Sequence, residues 1–387
     1  MFLEQAFHTK NNFTNYLIGL IFIVVAFFLG QVPLFGYIYY LVYAKGFPPP
    51  ITQTEIFAMM DSNWGVFLML QSFVAVFLIF PFLLKKLHHQ TIKTLVTAKN
   101  KFDFKRFTFS FLLWAGVVIL STVTEYLISP EDFVWQFDAQ PFLILFLIAV
   151  VFIPIQAATE EFIFRGYLMQ GIALSTTTKR FPITLIYIIL LITSYVVVNY
   201  FYDISLFYNF ISFLGYLFLG ISVFTSKYFE NLICSPSYYK MHKFLNKKFI
   251  PLIFTSVLFG LLHGSNPEVE KLGNISLVYY VGTGLMLGII TLMDDGMELA
   301  LGFHVSNNLL TSLLVTADWT ALQTHSILKD VSEPNAGFQI LFPVFVVYPI
   351  LLVIFANRYQ WTHWKEKLTG NIVINYNNGS NEHTNVS

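Results

Sequence analysis

Charged residues are scarce in this sequence, and cysteine is nearly absent. Asp, Glu, Lys and Arg make up 11% of its 387 residues, whereas about 25% is typical of soluble proteins. So little charge excludes a soluble enzyme and a disordered chain. The 22 cations are balanced by 22 acidic residues, which excludes the high pI of a nucleic-acid-binding protein. The single cysteine, Cys234, excludes an internal disulfide and any cysteine-based zinc or iron–sulfur site.

Apolar residues are abundant instead, at 56% of the chain, and Phe alone contributes 43 residues. They form about ten runs close to the length of roughly 20 residues that a transmembrane helix needs. The sequence therefore predicts an all-α, polytopic integral membrane helical bundle. The predicted spans are 17–43, 64–84, 107–128, 141–170, 181–201, 204–225, 250–265, 275–293, 297–317 and 338–356.

Cations are distributed unevenly between the predicted loops. With ten spans, most Lys and Arg residues fall on one side of the bilayer, as in the loop 85–106. Such a bias marks the cytoplasmic side, so both termini are predicted to be cytoplasmic. The acidic turn Asp294-Asp295-Gly296 is the exception, because it falls on the same side as the cations.

The pattern of spans also divides the chain into four parts. The tail is polar from Thr369 onward, which predicts that it is mostly disordered. The parts are two spans with a basic cytoplasmic loop (1–106), a membrane core (107–317), the last loop and span (318–356) and the cytoplasmic tail (357–387).

The fourth span contains the charged side chains Glu160, Glu161 and Arg165. A charge at the centre of a membrane helix costs about 2.5–3.5 kcal/mol, so charges there normally mark function. Beyond the membrane this would be an ordinary charged helix end, but apolar residues flank it on both sides. Glu161 and Arg165 are four residues apart and share a helix face, which predicts an ion pair. Glu160 is rotated from Glu161 by about 100° and is left available for chemistry.

Two later spans carry histidines. In the seventh, Phe259 lies one turn before His263, so its ring can cover one side of the imidazole. In the ninth, His304 and Asn308 share a face, whereas Asn307 points away and is predicted to bond between helices. Each pair alone also fits ordinary packing. Together with a carboxylate they would supply a base for water and donors for an oxyanion, which indicates peptide hydrolysis without a covalent intermediate.

The motifs Glu160-Glu161-x-x-x-Arg165, Phe259-x-x-x-His263 and His304-x-x-x-Asn308 resemble the three ordered motifs of the CPBP intramembrane endopeptidases. That family includes type II CAAX prenyl proteases and bacterial abortive-infection or bacteriocin-immunity proteins, and the resemblance covers residues 107–316. It implies an eight-helix core, a cavity open to the cytosol and to lipid, and a bacterial plasma membrane location. It also implies a role for each residue: Glu160 and His263 activate water, His304 and Asn308 stabilise the oxyanion, and Glu161 and Arg165 support the site.

The resemblance leaves the role of metal open. Glu160, His263 and His304 would also suit a zinc ion. We expect no cofactor, because Asn308 fits an oxyanion role that a zinc site does not need. A non-catalytic immunity or scaffold protein and a proton-relay transporter are further alternatives, although the chain lacks the paired broken helices or repeats of a transporter. The expected partners are a membrane-associated protein or peptide substrate and the lipid bilayer, with no nucleic acid, and the oligomeric state is left open.

The first two motifs are farther apart than the resemblance predicts. Glu161 and His263 are separated by 102 residues. The additional segment, roughly 178–247, contains the fifth and sixth spans and a basic loop, and we interpret it as an inserted hairpin. Two added spans preserve the orientation of everything downstream, so the core is expected to be undisturbed.

Overall fold

A computed structural model describes residues 1–8, 13–50, 55–56, 59–201, 206–224, 230–335 and 337–373. Helices dominate this part of the chain. The α-helices are α1 (Phe13–Lys45), α2 (Ser62–Leu83), α3 (Ile92–Val96), α4 (Phe104–Ile128), α5 (Ala139–Glu161), α6 (Met169–Thr176), α7 (Phe181–Phe201), α8 (Leu206–Phe224), α9 (Glu230–Ile233), α10 (Pro236–Leu245), α11 (Phe249–Leu262), α12 (Pro267–Leu272), α13 (Ser276–Asp294), α14 (Glu298–Leu314), α15 (Phe338–Phe342), α16 (Tyr348–Tyr359) and α17 (Trp364–Thr369).

Several of these helices are extended by turns of other helical types. Three short 3-10 helices are Leu3–His8, Pro130–Asp132 and His263–Ser265. Three π-helical segments are Leu84–His88, Phe162–Leu168 and Pro343–Val347. The segment Phe162–Leu168 joins α5 to α6, so one continuous helical run carries the first motif.

Seven helical runs in the described residues are long and apolar enough to cross a membrane. Each coincides with a predicted span, and the all-α, polytopic membrane fold is thereby confirmed. They are Phe13–Lys45, Ser62–His88, Phe104–Ile128, Ala139–Thr176, Phe181–Asn199, Ser276–Asp294 and Ile340–Tyr359. The other three predicted spans correspond to the helices α8, α11 and α14. Of these, α11 and α14 have 14 and 17 residues, and the apolar helical stretch found within α8 is Ile211–Gly220. The count of ten spans therefore stays a prediction.

The helices that carry the motifs pack side by side. α5 lies against α2 and α14, α14 packs along α4, and α11 packs along α13. Small residues set the separation of the last pair, because a Cβ atom on Gly284 would lie only 3.0 Å from the Cα atom of Ser256. In the insert, α7 and α8 pack on each other, and α7 also contacts α6 and α10.

The acidic turn after α13 lies among cations that come from distant parts of the chain. Lys99 Nζ lies 2.9 Å from Asp294 Oδ2 and 2.9 Å from Glu298 Oε2, and Arg106 also pairs with Asp294. Asp295 Oδ2 lies 2.6 Å from Lys367 Nζ. The turn is thus acidic because it binds the basic loop and the C-terminal helix. This explains why it departs from the charge distribution that the sequence predicts for that side.

The opposite end of the bundle carries a small sheet that the sequence did not predict. It consists of β1 (Phe133–Trp135), β2 (Val315–Thr316) and β3 (Leu328–Asp330) in the order β1-β3-β2. β3 is antiparallel to β1 and parallel to β2, so the sheet joins the loop after α4 to the loops after α14. Strands of two or three residues inside connecting loops give no periodic sequence pattern, which is why they were missed.

The tail is more ordered at its start than its composition predicts. Trp364–Thr369 is helical, Asn371 forms a β-bridge with Lys247, and the side chain of Ile372 is buried. Disorder therefore does not begin at Thr369. The buried side chain of Ile372 and the hydrogen bonds of its backbone with Asn246 hold this stretch in place. Residues 374–387 lie outside the described part of the chain.

Candidate active site

The first motif lies where α5 passes into the π-helical segment. Glu160 and Glu161 are the last two residues of α5, and Arg165 lies within Phe162–Leu168. Single π-helical turns inside α-helices occur frequently at functional sites. All three side chains are buried, with 8%, 0% and 1% of their surfaces exposed.

The predicted ion pair between Glu161 and Arg165 is present. Arg165 Nη1 donates to Glu161 Oε1 at 2.9 Å, and Nη2 donates to the carbonyl oxygen of Gly284 at 3.2 Å. The guanidinium carbon also lies 4.4 Å from the centre of the Phe259 ring. A buried charge needs a partner and further hydrogen bonds to be tolerated, and Arg165 has both.

His304 connects the two carboxylates. Its Nδ1 donates to Glu161 Oε1 at 2.8 Å, and its Nε2 lies 3.4 Å from Glu160 Oε2. An ionised carboxylate only accepts hydrogen bonds, so the contact with Glu161 assigns a proton to Nδ1. On the other side, Nε2 faces Glu160 Oε2 across 3.4 Å without forming a hydrogen bond. Both carboxylates therefore face the same imidazole, whereas the sequence predicted that Glu160 would face away from Glu161.

Glu160 has one satisfied oxygen and one unsatisfied oxygen. Oε1 accepts a hydrogen bond from Gln156 Nε2 at 2.6 Å. Oε2 is buried and has no hydrogen-bond partner in the structure. Such an orphaned carboxylate oxygen is costly unless a water or a substrate binds it, and it is therefore available to accept a proton.

His263 lies at the C-terminal end of α11, not within it. Its Nδ1 donates to the carbonyl oxygen of Phe259 at 2.7 Å, which leaves Nε2 of the neutral ring as an acceptor. The Phe259 ring lies 4.5 Å away, which confirms the predicted wall on one side of the imidazole. Tyr280 stacks on the imidazole at 4.5 Å and holds the ring in place.

Asn308 joins the site through Gln156. Asn308 Nδ2 donates to Gln156 Oε1 at 2.9 Å, and Gln156 in turn donates to Glu160. Asn307 accepts a hydrogen bond from Trp114 Nε1 at 3.1 Å. This contact joins α14 to α4 and confirms the predicted role of Asn307 between helices.

The structure places five of the predicted residues in two hydrogen-bonded groups that face each other across the 3.4 Å contact between His304 Nε2 and Glu160 Oε2. The first group contains Glu161, Arg165 and His304, and the second joins Glu160 to Asn308 through Gln156. His263 lies beside the first group and is linked to it by the Phe259 ring, whose centre is 6.2 Å from that of His304. Sequence reasoning missed Gln156 and Tyr280. Gln156 had a readable signal, because it is a polar residue in an apolar helix, four residues before Glu160.

The zinc alternative receives no support from side-chain geometry. Glu160 and His304 are adjacent, but in the described residues no three His, Cys, Asp or Glu side chains are placed to hold a metal ion. Both nitrogens of His304 already face carboxylates. No step of the reaction is therefore derived through a metal, and the expectation of no cofactor stays a prediction.

These features define a polytopic helical membrane protein with a buried carboxylate–imidazole site. A family profile described as "Type II CAAX prenyl endopeptidase Rce1-like" matches residues 229–310, which contain the second and third motifs. An uncharacterized protein of Bacillus subtilis, YyaK, is 22% identical over 293 residues, covering 76% of this chain and 72% of its own length. No solved structure matches the chain significantly. Together with the three ordered motifs, these two matches support membership of the CPBP family.

Proposed function

We propose that this protein is an intramembrane endopeptidase that hydrolyses a peptide bond with a water molecule activated by Glu160 and His263. The observation that carries the proposal is the buried, unpartnered Oε2 atom of Glu160, held 3.4 Å from His304 Nε2. Burying a carboxylate between apolar helices costs free energy, and ionisable residues in such positions normally serve a function. The family relationship points to the same reaction.

In the proposed reaction, the water donates its proton to Glu160 or His263, since both offer a free acceptor atom. The water oxygen then bonds to the carbonyl carbon of the substrate, and the negative charge develops on the carbonyl oxygen. His304, when its Nε2 carries a proton, and the second N–H of Asn308 donate to this oxyanion. The abstracted proton passes to the departing nitrogen as the C–N bond breaks, so no covalent enzyme intermediate forms.

The proposed substrate is a membrane-associated protein or peptide, because the site lies between apolar helices. The proposed location is a bacterial plasma membrane, as the family resemblance implies, and both termini are proposed to be cytoplasmic because of the charge distribution. The alternative is a protein of the same fold that binds a partner without cleaving it.

The test is peptide cleavage by the purified protein in lipid vesicles. A panel of membrane-inserted peptides would be incubated with the parent, Glu160→Gln and His263→Ala, and the products identified by mass spectrometry. We expect a loss of about 10²–10⁴-fold in each variant, as for removal of an acid–base group. The matched control is Glu131→Gln, since Glu131 is exposed at the far end of the bundle. Equal cleavage by all four proteins would reject the proposal and favour the non-catalytic alternative.

A further inference from the structure

A chain of side-chain amides leads from Trp114 to Glu160. Trp114 Nε1 donates to Asn307 Oδ1 at 3.1 Å, and Asn307 Nδ2 donates to Asn308 Oδ1 at 3.0 Å. Asn308 Nδ2 donates to Gln156 Oε1 at 2.9 Å, and Gln156 Nε2 donates to Glu160 Oε1 at 2.6 Å. In each of these hydrogen bonds the donor lies on the Trp114 side and the acceptor on the Glu160 side.

The two ends of this chain determine the direction of the amides. The indole of Trp114 can only donate, and an ionised Glu160 can only accept. If any amide between them rotated by 180°, two donors or two acceptors would face each other. The three amides are therefore locked, and hydrogen bonds in such a series also polarise one another in a medium of low dielectric constant.

We propose that Gln156 is a positioning residue for the reaction, because it links the carboxylate that activates water to the amide that receives the oxyanion. This inference rests on the proposed function of Glu160 and Asn308. Gln156 uses one N–H on Glu160 and its oxygen on Asn308, so it sets the distance between the two groups. It holds Glu160 Oε1, and only Oε2 is left to accept the proton of water.

Gln156 also fixes which atom of Asn308 can reach the substrate. Its oxygen accepts one of the two N–H bonds of the Asn308 amide. The Asn308 oxygen is occupied by Asn307, so the atom left for a substrate oxygen is the second N–H. A free Asn308 amide could equally present its oxygen, which would repel an oxyanion.

The first test replaces Gln156 by Met, which has a similar length and no hydrogen-bonding amide. We expect kcat to fall about 10- to 100-fold with little change in KM, because misplaced groups cost rate without altering substrate affinity. The matched control is Gln71→Met in the neighbouring helix α2. The amide nitrogen of Gln71 donates to the carbonyl of Phe67 in its own helix, and the variant is expected to keep the parent kcat.

The second test is Gln156→Glu, which has a readout that a purely structural role would not change. A protonated Glu at this position has an O–H that can donate to Glu160 and an oxygen that can accept from Asn308, as Gln does. An ionised one faces Glu160 with like charge. The activity of this variant, relative to the parent, is therefore expected to rise as the pH falls.

The outcomes separate this proposal from the proposed function. If the parent cleaves, Glu160→Gln is inactive and both Gln156 variants match the parent at every pH, the positioning role is wrong and the endopeptidase stands. A Gln156→Met variant with unchanged kcat and a raised KM would also overturn the positioning role. If Glu160→Gln cleaves as well as the parent, the proposed function fails and the role of Gln156 fails with it.

Discussion

His304 donates a hydrogen bond to Glu161, and the same carboxylate oxygen accepts one from Arg165. The first bond, 2.8 Å long, connects α14 to α5, and the second, 2.9 Å long, lies within the helical run that carries the first motif. Glu161 thus orients the imidazole that faces Glu160 and neutralises a guanidinium with 1% of its surface exposed. Glu161 therefore stabilises both the geometry of the site and the packing of the bundle.

Replacing Glu161 by Leu is expected to destabilise the protein strongly. The variant leaves Arg165 buried without its counter-charge, which costs about 3–5 kcal/mol in comparable buried pairs. Thermal unfolding in detergent would measure the loss. The double variant Glu161→Leu, Arg165→Met removes both charges and is expected to recover most of the stability but no activity, because His304 still lacks its partner. A double variant as unstable as the single one would contradict this account.

The acidic turn after α13 predicts two different effects for two adjacent aspartates. Asp294 has 1% of its side chain exposed and binds Lys99 and Arg106, whereas Asp295 has 30% exposed and binds Lys367. Asp294→Ala is expected to cost about 1.5–3 kcal/mol, because it removes a buried carboxylate that binds two cations, although Lys99 keeps Glu298 and Arg106 keeps Asp103. Asp295→Asn keeps a side-chain oxygen for the backbone N–H of Phe2 and suits the left-handed backbone at this position, so losing the charge pair with Lys367 is expected to cost about 1 kcal/mol or less, as for exposed pairs. Equal shifts of the two unfolding temperatures would show that burial does not decide the effect.

Glu268 predicts a pH dependence of stability. Burial raises the pKa of its carboxyl group, although Oε1 accepts a hydrogen bond from the backbone N–H of Ala321 at 2.7 Å. The folded protein therefore holds this proton more tightly than the unfolded chain does. The resulting stabilisation is fully present below the ordinary carboxyl pKa of about 4.3 and is lost as the pH rises through the folded-state value. The unfolding temperature of the parent, relative to that of Glu268→Gln, is therefore expected to fall as the pH rises. A constant difference would disprove the assignment.

Chelation separates the metal-free mechanism from a zinc mechanism. Peptide cleavage by the purified protein is expected to persist in an excess of a strong chelator, since the proposed reaction uses only side chains and water. The control is a zinc peptidase assayed in the same vesicles, which should lose its activity. Loss of cleavage that returns on adding zinc would contradict the prediction and would assign Glu160, His263 and His304 as ligands.

Contacts within a single helix were predictable from the sequence. The pairs Glu161–Arg165 and Phe259–His263 follow from helix periodicity alone, because residues four apart lie on one face. The clustering of the three motifs was predictable only through the resemblance to a known family. No spacing in the chain indicates by itself that α5 faces α14.

Contacts between side chains on different helices or loops were not predictable from the sequence. Gln156 and Asn308 are 152 residues apart, and the Lys99–Asp294 pair spans 195 residues. Such pairs form only when two particular helix faces pack against each other. The periodicity of each helix shows which of its faces is apolar, but it does not show which other helix packs there. For the same reason, a single buried isoleucine, Ile372, could not be distinguished from the rest of a polar tail.

In the proposed reaction, Glu160 and His263 act together on one water molecule. A double-mutant cycle on kcat/KM would compare the parent, Glu160→Gln, His263→Ala and the double variant. Residues that act as a unit are strongly non-additive, so the double variant is expected to be no slower than the slower single variant. Losses that multiply in the double variant would show that the two residues act independently, which would contradict their joint action on one water molecule.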